Sequence, residues 1–261
     1  MPDTAVLVLS DIHYGKKTDT FDPGVCIERL KRCADEVLKV QKEKKLTELV
    51  VLLVGDINDG TDIYATQPHH QAVSNVEQQA DEIADALAVE LRRLAAKFVS
   101  VRVECVAGNH GRGGKMTHEA ASWDIVTYRY LKLKLTETKN VAVHVGGDPF
   151  LKVVKVRGHG ILMYHGHNIK MVSGVPWNAI GMRLMRWGNT SLPAFTAAVM
   201  GHFHTLGHWT LNKIKLFSTG AFISDDKWAL EVIGWDSKPS TWLLGVNEKE
   251  IGSWLKVIDL S

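Results

Sequence analysis

The sequence has few cysteines, no long apolar run and almost no net charge, and each shortage excludes a class of protein. Its three cysteines, Cys26, Cys33 and Cys105, form no CxxC pair. This argues against a disulfide framework and predicts reduced, mostly buried thiols. No apolar stretch approaches the about 18 residues that a membrane span requires. Because the formal net charge is only +2, nothing indicates a general attraction to nucleic acid, membranes or acidic partners.

The first residues lack the basic segment, the apolar run and the cleavage site of a signal peptide. AVLVLS at residues 5–10 predicts a buried strand instead. Together with the reduced thiols, this start predicts a soluble cytoplasmic protein, located in the host cytoplasm if a virus encodes it. The chain of 261 residues shows no linker, repeat or low-complexity tract, so we expect one domain over residues 1–261.

Short apolar runs alternate with helical segments, which favours an α/β architecture. In the first half, strands are predicted at residues 5–10, 49–54 and 99–106, and helices at 25–44, 72–98 and 123–131. In the second half, strands are predicted at 141–145, 150–156, 160–164, 197–200, 214–218, 242–246 and 253–258, and a helix at 174–187. The close spacing of the strands after residue 140 predicts a second, more antiparallel sheet that begins with 141–145.

Polar side chains follow five of the predicted strands at the point where each strand ends. They are Asp11, His13, Asp56, Asp59, Asn109, His110, His165, His202 and His204. In open α/β sheets, ligands bind outside the carboxyl ends of the strands because the loops converge there. The sequence therefore predicts that these side chains share one site.

The residue types at these strand ends suit divalent metals. Carboxylates, imidazoles and an amide oxygen bind ions such as Mn, Fe, Zn or Ni, and the absence of cysteine argues against a structural zinc site. The candidate ligands are Asp11, His13, Asp56, Asn109, His165, His202 and His204. They are too many for one ion and enough for two ions that share a carboxylate. Two metals ~3.5–4 Å apart can hold both the attacking and the leaving oxygen of an in-line displacement at phosphorus.

Five sequence blocks occur in a fixed order, each after a predicted strand. They are SDIHYG (10–15), GDINDG (55–60), GNHGR (108–112), YHGH (164–167) and GHFH (201–204). This set resembles the calcineurin-like metallophosphoesterase superfamily, over roughly residues 7–204. The resemblance implies a four-layer α-β-β-α sandwich with two mixed central sheets. It also implies a phosphoesterase with two divalent metal ions, for which we expect manganese first and iron, zinc, nickel or magnesium as alternatives.

The resemblance also implies a role for each matching residue. Asp11, His13 and His204 would hold one metal, and Asn109, His165 and His202 would hold the other. Asp56 would bridge the two ions, and a metal-bound hydroxide would attack phosphorus.

Two further residues match positions that the family uses in catalysis. His110 resembles the general acid that protonates the leaving oxygen. Asp59 occupies the place of the carboxylate that orients this histidine, although an Asp-Gly pair also favours a plain turn. His167 stays open between replacing His165 as a ligand, supporting the ligands and contacting substrate.

Two basic segments are candidates for substrate contact. Arg112 and Lys115 lie in GRGGK directly after His110, where they could bind phosphate or form only a solvated loop. The segment 176–187 interleaves Trp and Arg, which could stack bases and hold phosphates. The same pattern also fits an amphipathic helix, and packing is the preferred explanation for Trp177.

We predict a phosphodiesterase with nucleic acid, such as DNA, as the leading substrate. The resemblance extends to DNA-repair exonucleases and to metallophosphoesterases of bacteriophages. The alternatives are a phosphomonoesterase and a phosphatase for cyclic nucleotides or phosphoproteins. A non-catalytic scaffold is disfavoured because every expected ligand and His110 are present. No membrane partner is expected, and homo-oligomer formation stays open.

Overall fold

The computed structural model describes residues 3–61, 63–64, 66–113, 121–170, 175–226, 230–231 and 238–261. The α-helices are α1 (Pro23–Lys44), α2 (Val76–Ala95), α3 (Trp123–Lys134) and α4 (Trp177–Gly188). The first strands are β1 (Thr4–Leu9), β2 (Glu48–Val54), β3 (Ser100–Val106), β4 (Val141–His144), β5 (Leu151–Val156) and β6 (His159–Tyr164). The remaining strands are β7 (Ala197–Met200), β8 (Gly207–Leu211), β9 (Ile214–Ser218), β10 (Ser240–Val246) and β11 (Ile251–Asp259).

The first sheet has the strand order β11-β10-β1-β2-β3-β4. Strands β1 to β4 are parallel, and β10 and β11 add antiparallel to the edge beside β1. The prediction that residues 141–145 begin the second sheet is wrong, because β4 pairs in parallel with β3. Helix α3 lies between these two strands in the chain, so β3, α3 and β4 form a crossover unit, which returns a strand parallel to the first.

The second sheet has the order β5-β6-β7-β9-β8. Its three central strands are parallel, and β5 and β8 pair antiparallel at its two edges. Strand β8 was not predicted. Its residues alternate between half-buried and exposed, as on an edge strand, so it lacks the continuous apolar run by which the central strands were found.

The two sheets pack face to face, and helices cover both outer faces. Successive side chains of β1 point to opposite faces of the first sheet. Leu7 and Leu9 pack in the hydrophobic cluster with α1, α2 and α3, whereas Val6 and Val8 pack against the second sheet. Ile180 and Leu184 of α4 pack on the outer face of the second sheet. The predicted four-layer α-β-β-α fold with two mixed sheets is thereby confirmed.

Capping residues decide where the helices of the first half begin. Asp22 accepts a hydrogen bond from the backbone nitrogen of Val25, with Pro23 in the first turn of α1. Asn75 accepts hydrogen bonds from the first turn of α2, so this helix starts later than the predicted residue 72. The apolar periodicity predicts too early a start for this helix, because it depends on the spacing of side chains and does not show at which residue the helical backbone begins.

Two expectations drawn from shortages in the sequence can be compared with the structure. Cys26, Cys33 and Cys105 are all buried and unpaired. Among the described residues, no helix combines the length and the apolar character needed to cross a membrane.

Candidate metal centre

The loops that carry the predicted site residues meet at the carboxyl ends of strands from both sheets. The first sheet contributes the loops after β1, β2 and β3, and the second sheet contributes those after β6 and β7. Backbone hydrogen bonds join them directly. The nitrogen of Asp11 donates to the carbonyl of Gly55 at 3.1 Å, and that of His13 donates to the carbonyl of Asp56 at 3.0 Å. The nitrogen of Gly201 donates to the carbonyl of His165 at 3.0 Å.

One group of possible metal ligands consists of Asp11, His13 and His204. The Nε2 atom of His204 lies 3.2 Å from Oδ1 of Asp11 and 3.3 Å from Nε2 of His13. The Nε2 atom of His13 lies 3.9 Å from the same carboxylate oxygen. These three atoms face a common point, so together they can hold one ion.

A second group consists of Asp56, His165 and His202. The Nε2 atom of His165 lies 2.9 Å from Oδ2 of Asp56. The Nδ1–H of His165 donates to the carbonyl of Val54 at 2.7 Å, which leaves Nε2 as the ligand atom and fixes the ring. Asp56 also forms a group with His13 and His110, so its carboxylate lies between the two sets of imidazoles.

Asn109 is the one candidate ligand outside these groups of acidic and histidine side chains. It is buried, and its Oδ1 atom has no hydrogen-bond partner among the described residues. The next backbone nitrogen, that of His110, donates to Oδ1 of Asp56 at 2.7 Å, which keeps this loop against the Asp56 carboxylate. A buried acceptor without a donor is costly unless another group satisfies it.

The donor set fits two divalent cations. Asp11 and Asp56 are 0% and 1% exposed, and within the described part of the chain their ion-pair partners are imidazoles only. Buried carboxylates without a cation are strongly disfavoured. Two ions would compensate these charges and would also supply a partner for Asn109 Oδ1, which lacks a hydrogen bond.

The backbone at the candidate ligands is strained. Asp11, His13, Asp56, His202 and His204 have φ angles of 53°, 49°, 52°, 69° and 48°. Residues other than glycine rarely adopt this left-handed region, and such strain concentrates at functional sites where the surrounding structure enforces it. The loops therefore hold the residues that carry the candidate ligands in a backbone conformation that these residues would rarely adopt on their own.

Two glycines of the sequence blocks make room for the carboxylates. A Cβ atom on Gly108 would lie 2.1 Å from Oδ1 of Asp56, and one on Gly201 would lie 2.2 Å from Oδ2 of Asp11. Any larger residue would displace a carboxylate. The glycines that precede Asn109 and His202 thus allow the loops that carry Asp56 and Asp11 to pack closely against them.

The charges of the site are strongly coupled. Burial raises the pKa of Asp11, but the imidazoles of His204 and His165 outweigh burial and lower it to about 2. Burial lowers the pKa of His165, but the carboxylates of Asp56 and Asp11 raise it to about 9. Burial lowers the pKa of His202 to about 3. Because a ligating imidazole is neutral, metal binding would release the proton of His165.

His110 and Asp59 lie side by side next to the first group. The Nδ1–H of His110 donates to the backbone carbonyl of Asp59 at 3.0 Å, and Oδ1 of the Asp59 carboxylate is 3.5 Å away. The same oxygen lies 3.4 Å from Nδ1 of His13. Asp59 thus contacts a candidate ligand as well as His110, which the sequence did not indicate.

Two glutamines hold Asp59 in place. The Nε2 atoms of Gln67 and Gln71 each donate to Oδ2 of Asp59 at 3.1 Å. Neither glutamine belongs to a recognisable sequence block, so only the structure reveals their contact with the site.

The electrostatic surroundings of His110 favour its charged form. Burial lowers its pKa, but the carboxylates of Asp56 and Asp59 outweigh burial, so the pKa is raised above its usual value. Because Nδ1–H already donates to a carbonyl, a proton on Nε2 is the one that His110 can transfer. The ring of Tyr64 packs edge-on against His110 at a centroid distance of 6.1 Å.

Of the three predicted substrate contacts, Arg112 and His167 are among the described residues. Arg112 is half-buried, and its Nε donates to the carbonyl of Asn109 at 2.9 Å. The His167 ring lies 5.8 Å from that of His165, and burial lowers its pKa to about 4. His165, not His167, belongs to the second ligand group. Lys115 lies outside the described residues.

Most of the segment 176–187 lies in α4 (Trp177–Gly188), which packs on the second sheet. The Trp177 ring lies 3.7 Å from that of Trp209, and the Trp187 ring lies 4.7 Å from that of Tyr164. The Arg183 guanidinium lies over Trp187 at 5.6 Å. These contacts account for the aromatic residues of the segment by packing.

Comparison with known proteins gives one family match. The sequence profile described as calcineurin-like phosphoesterase matches residues 4–213. No sequence among the curated proteins matches this chain.

Similar solved structures include vacuolar protein sorting 29 from Cryptosporidium parvum, at 14% identity and a TM-score of 0.49, covering 100% of this chain and 93% of that chain. An archaeal phosphodiesterase has 11% identity and a TM-score of 0.45, covering 97% and 99%. The phosphoesterase Yfce from E. coli has 16% identity and a TM-score of 0.42, covering 98% and 100%. At these values the likenesses carry no functional information.

Proposed function

The chain belongs to the calcineurin-like phosphoesterase family, and from that premise we propose that it is a phosphodiesterase that uses two divalent metal ions. Membership implies a hydrolase of phosphate esters. The observation that carries the proposal is the position of Asp56, whose buried carboxylate lies between the imidazoles of both ligand groups.

The proposed ligand sets follow the two groups. Asp11, His13 and His204 would hold one ion, and Asn109, His165 and His202 would hold the other, with Asp56 available to both. When bound, the two ions lower the pKa of water and stabilise the negative charge that builds up on the phosphate oxygens. Manganese is the first metal to test, because oxygen and nitrogen ligands without thiolate accept it along with iron, zinc, nickel or magnesium.

The chain itself supplies the proton for the leaving group. The carboxylates of Asp56 and Asp59 raise the pKa of His110 above its usual value and so favour its protonated form, from which Nε2 can protonate the departing oxygen. The backbone carbonyl of Asp59 accepts a hydrogen bond from Nδ1–H, which leaves the proton on Nε2 as the one to be transferred. An alkoxide is a poor leaving group and gains most from such a proton, so this arrangement suits phosphate esters of aliphatic alcohols, and the proposed diesters are among them.

Nucleic acid is the proposed diester, with DNA as the leading substrate. Arg112 lies beside the Asn109 loop, where its guanidinium can bind a phosphate oxygen in a bidentate manner. The net charge of +2 supports contact with a few phosphates at the site and not a long electrostatic track.

The experiment is an activity panel on protein depleted of metal and then supplied with Mn²⁺. The substrates are bis-p-nitrophenyl phosphate, p-nitrophenyl phosphate, cyclic nucleotides, and single- and double-stranded DNA. We expect higher kcat/KM for the diester than for the monoester, and cleavage of DNA. A preference for p-nitrophenyl phosphate would refute the diesterase proposal, and activity on cyclic nucleotides alone would refute DNA as substrate.

A further inference from the structure

Asp124 is a buried acidic residue that belongs to none of the sequence blocks. It lies in the first turn of α3 and is 0% exposed. An acidic residue at this place would ordinarily face solvent and interact with the positive end of the helix dipole. Here the side chain points inward, toward the loops that follow β2 and β3.

The carboxylate accepts five hydrogen bonds from these two loops. Its Oδ2 accepts from the backbone nitrogens of Asp56 at 3.0 Å and Gly108 at 2.9 Å. Its Oδ1 accepts from the backbone nitrogens of Ile57 at 3.1 Å and Asn58 at 3.3 Å, and from Nδ2 of Asn58 at 3.2 Å. One side chain thus binds the backbone of the bridging Asp56 and the residue before Asn109.

We propose that Asp124 is a positioning residue. Its carboxylate fixes the separation of the loops that carry Asp56 and Asn109, and thereby sets the affinity of the site for its two metal ions. This inference rests on the proposed metal-dependent function. Its basis is geometric, because Oδ2 joins one nitrogen from each loop. Without that oxygen, neither nitrogen has another described acceptor that would tie the two loops together.

The adjacent residues are shaped to admit this carboxylate. A Cβ atom on Gly111 would lie 2.9 Å from the nitrogen and 3.1 Å from Cγ of Asp124, so the glycine in GNHGR leaves room for α3 to approach. Asn58 also donates to Oγ1 of Thr127 at 2.9 Å, a second contact between the β2 loop and the same helix. The first turn of α3 is therefore built against the ligand loops.

A carboxylate is required at this position, and an amide of the same shape cannot replace it. Asparagine has one acceptor oxygen and one NH₂ group. In one orientation, NH₂ would face the donors of Asp56 and Gly108, and in the other it would face the donors of Ile57 and Asn58. Either way, buried donors face a donor, so Asp124→Asn tests the hydrogen bonds at constant volume.

The test compares Asp124→Asn with Ser122→Ala by Mn²⁺ titration calorimetry. Ser122 caps the same helix by accepting from the nitrogen of Asp124 at 3.2 Å, so its replacement weakens α3 while leaving the carboxylate in place. We expect Asp124→Asn to weaken binding of at least one of the two Mn²⁺ ions by about 10–100-fold, the usual effect of removing a residue that supports metal ligands. Ser122→Ala should lower the Tm and bind Mn²⁺ as the wild type does.

The outcomes separate this inference from the proposed function. If the wild type binds no Mn²⁺, the proposed function fails and the inference fails with it. If the wild type binds two ions and Asp124→Asn binds them equally well, only the inference fails. Equal weakening by Ser122→Ala would also overturn it, because the effect would then come from helix stability.

Hydrogen exchange on the wild type provides a measurement that does not depend on the folding of a variant. In metal-free protein, the amides of Asp56, Ile57, Asn58 and Gly108 should exchange slowly although they lie outside the strands. Exchange as fast as that of exposed loop amides would overturn the inference.

Discussion

Buried carboxylates occur in two clusters of charged side chains in this protein. The clusters differ in where the positive charge that compensates the carboxylates comes from. Glu104 on β3 is 4% exposed and is surrounded by Lys152, by Arg102 at 3.4 Å and by His144 at 2.8 Å. Asp11 and Asp56 are buried at least as deeply, yet in the described part of the chain only imidazoles lie within ion-pair distance of them. The chain supplies its own cations at the first cluster, whereas under the proposed function the second would take up ions from solution.

The pKa shifts of the two clusters show the same contrast. Burial raises the pKa of Glu104, but Lys152 and His144 outweigh burial and lower it. At Asp11, the opposing groups are the imidazoles of His204 and His165, and an imidazole that binds a metal is neutral. A carboxylate paired with lysine serves the fold, whereas one paired with imidazoles is available for an ion that replaces the protons.

The largest effect should follow from removing the charge of Asp56, the carboxylate proposed to bridge the two ions. We expect Asp56→Asn to lose at least one metal ion and to lower kcat/KM by about 10³-fold or more, because both ions depend on this side chain. Metal content by mass spectrometry and hydrolysis of bis-p-nitrophenyl phosphate measure the two effects.

The matched control makes the same chemical change in the other cluster. Glu104→Gln should retain both ions and full activity, because lysine already compensates this carboxylate. If Asp56→Asn retained two tightly bound ions, the contrast between the clusters would be broken.

A smaller loss is expected for the proposed general acid. His110→Ala should keep both metals and lower kcat by about 10²–10⁴-fold on a diester with an alkoxide leaving group. The loss should be much smaller with p-nitrophenolate, which departs without a proton. Steady-state kinetics on both substrates measure this ratio, and an equal loss on the two would contradict the role of acid.

A several-fold effect is expected for Arg112. Arg112→Ala removes a cation beside the Asn109 loop, so KM for DNA should rise several-fold or kcat should fall by a similar factor. Arg102→Ala, which belongs to the Glu104 cluster, is the control and should leave both constants unchanged. Identical kinetics of the two variants would remove Arg112 from the site.

The smallest effect is a change of stability with pH at Glu104. Because the folded pKa lies below the usual value of 4.5, the charged form stabilises the fold above that value, and the contribution is lost as pH falls through the folded pKa. Glu104→Gln should therefore lower the free energy of unfolding by about 1 kcal/mol at pH 7, and the difference should shrink below pH ~4.

Urea unfolding from pH 7 to pH 3 measures this difference. Glu248→Gln, at an exposed position, is the control for the loss of one acidic group. A difference at Glu104 that stayed constant over the whole pH range would show that ion pairing does not stabilise this cluster.

The strands and the candidate ligands could be predicted from sequence because both depend on local pattern. A continuous apolar run ending in Asp, His or Asn marks a buried strand and its terminal loop, as at Asp11 and Asp56. Strand β8 has no such run, since an edge strand is half-exposed. The sheet to which β4 belongs depends on which strand it pairs with, and the spacing of apolar residues does not record pairing.

Asp124, Gln67 and Gln71 could not be predicted for a related reason. Asp124 contacts a loop that is distant in sequence and that it meets only in the folded chain. Gln67 and Gln71 contact the nearby Asp59, but no sequence block marks these side-chain hydrogen bonds. An isolated Asp at the start of a helix is common and suggests only an interaction with the helix dipole. Residues that support the site are therefore identified from interatomic distances in the structure, whereas the candidate ligands can be predicted from the residues that follow the strands.

The packing of the two sheets has a consequence for chemistry that no ligand substitution would reveal. Asp11 and Asp56 belong to one sheet, whereas His165 and His204 belong to the other, and the sheets contact each other through aliphatic side chains such as Val199. Each proposed ion would therefore take ligands from both sheets, and the distance between those ligands is set partly by the thickness of a hydrocarbon layer. Trimming a methyl group in that layer could retune the reaction from a distance while every coordinating atom stays the same.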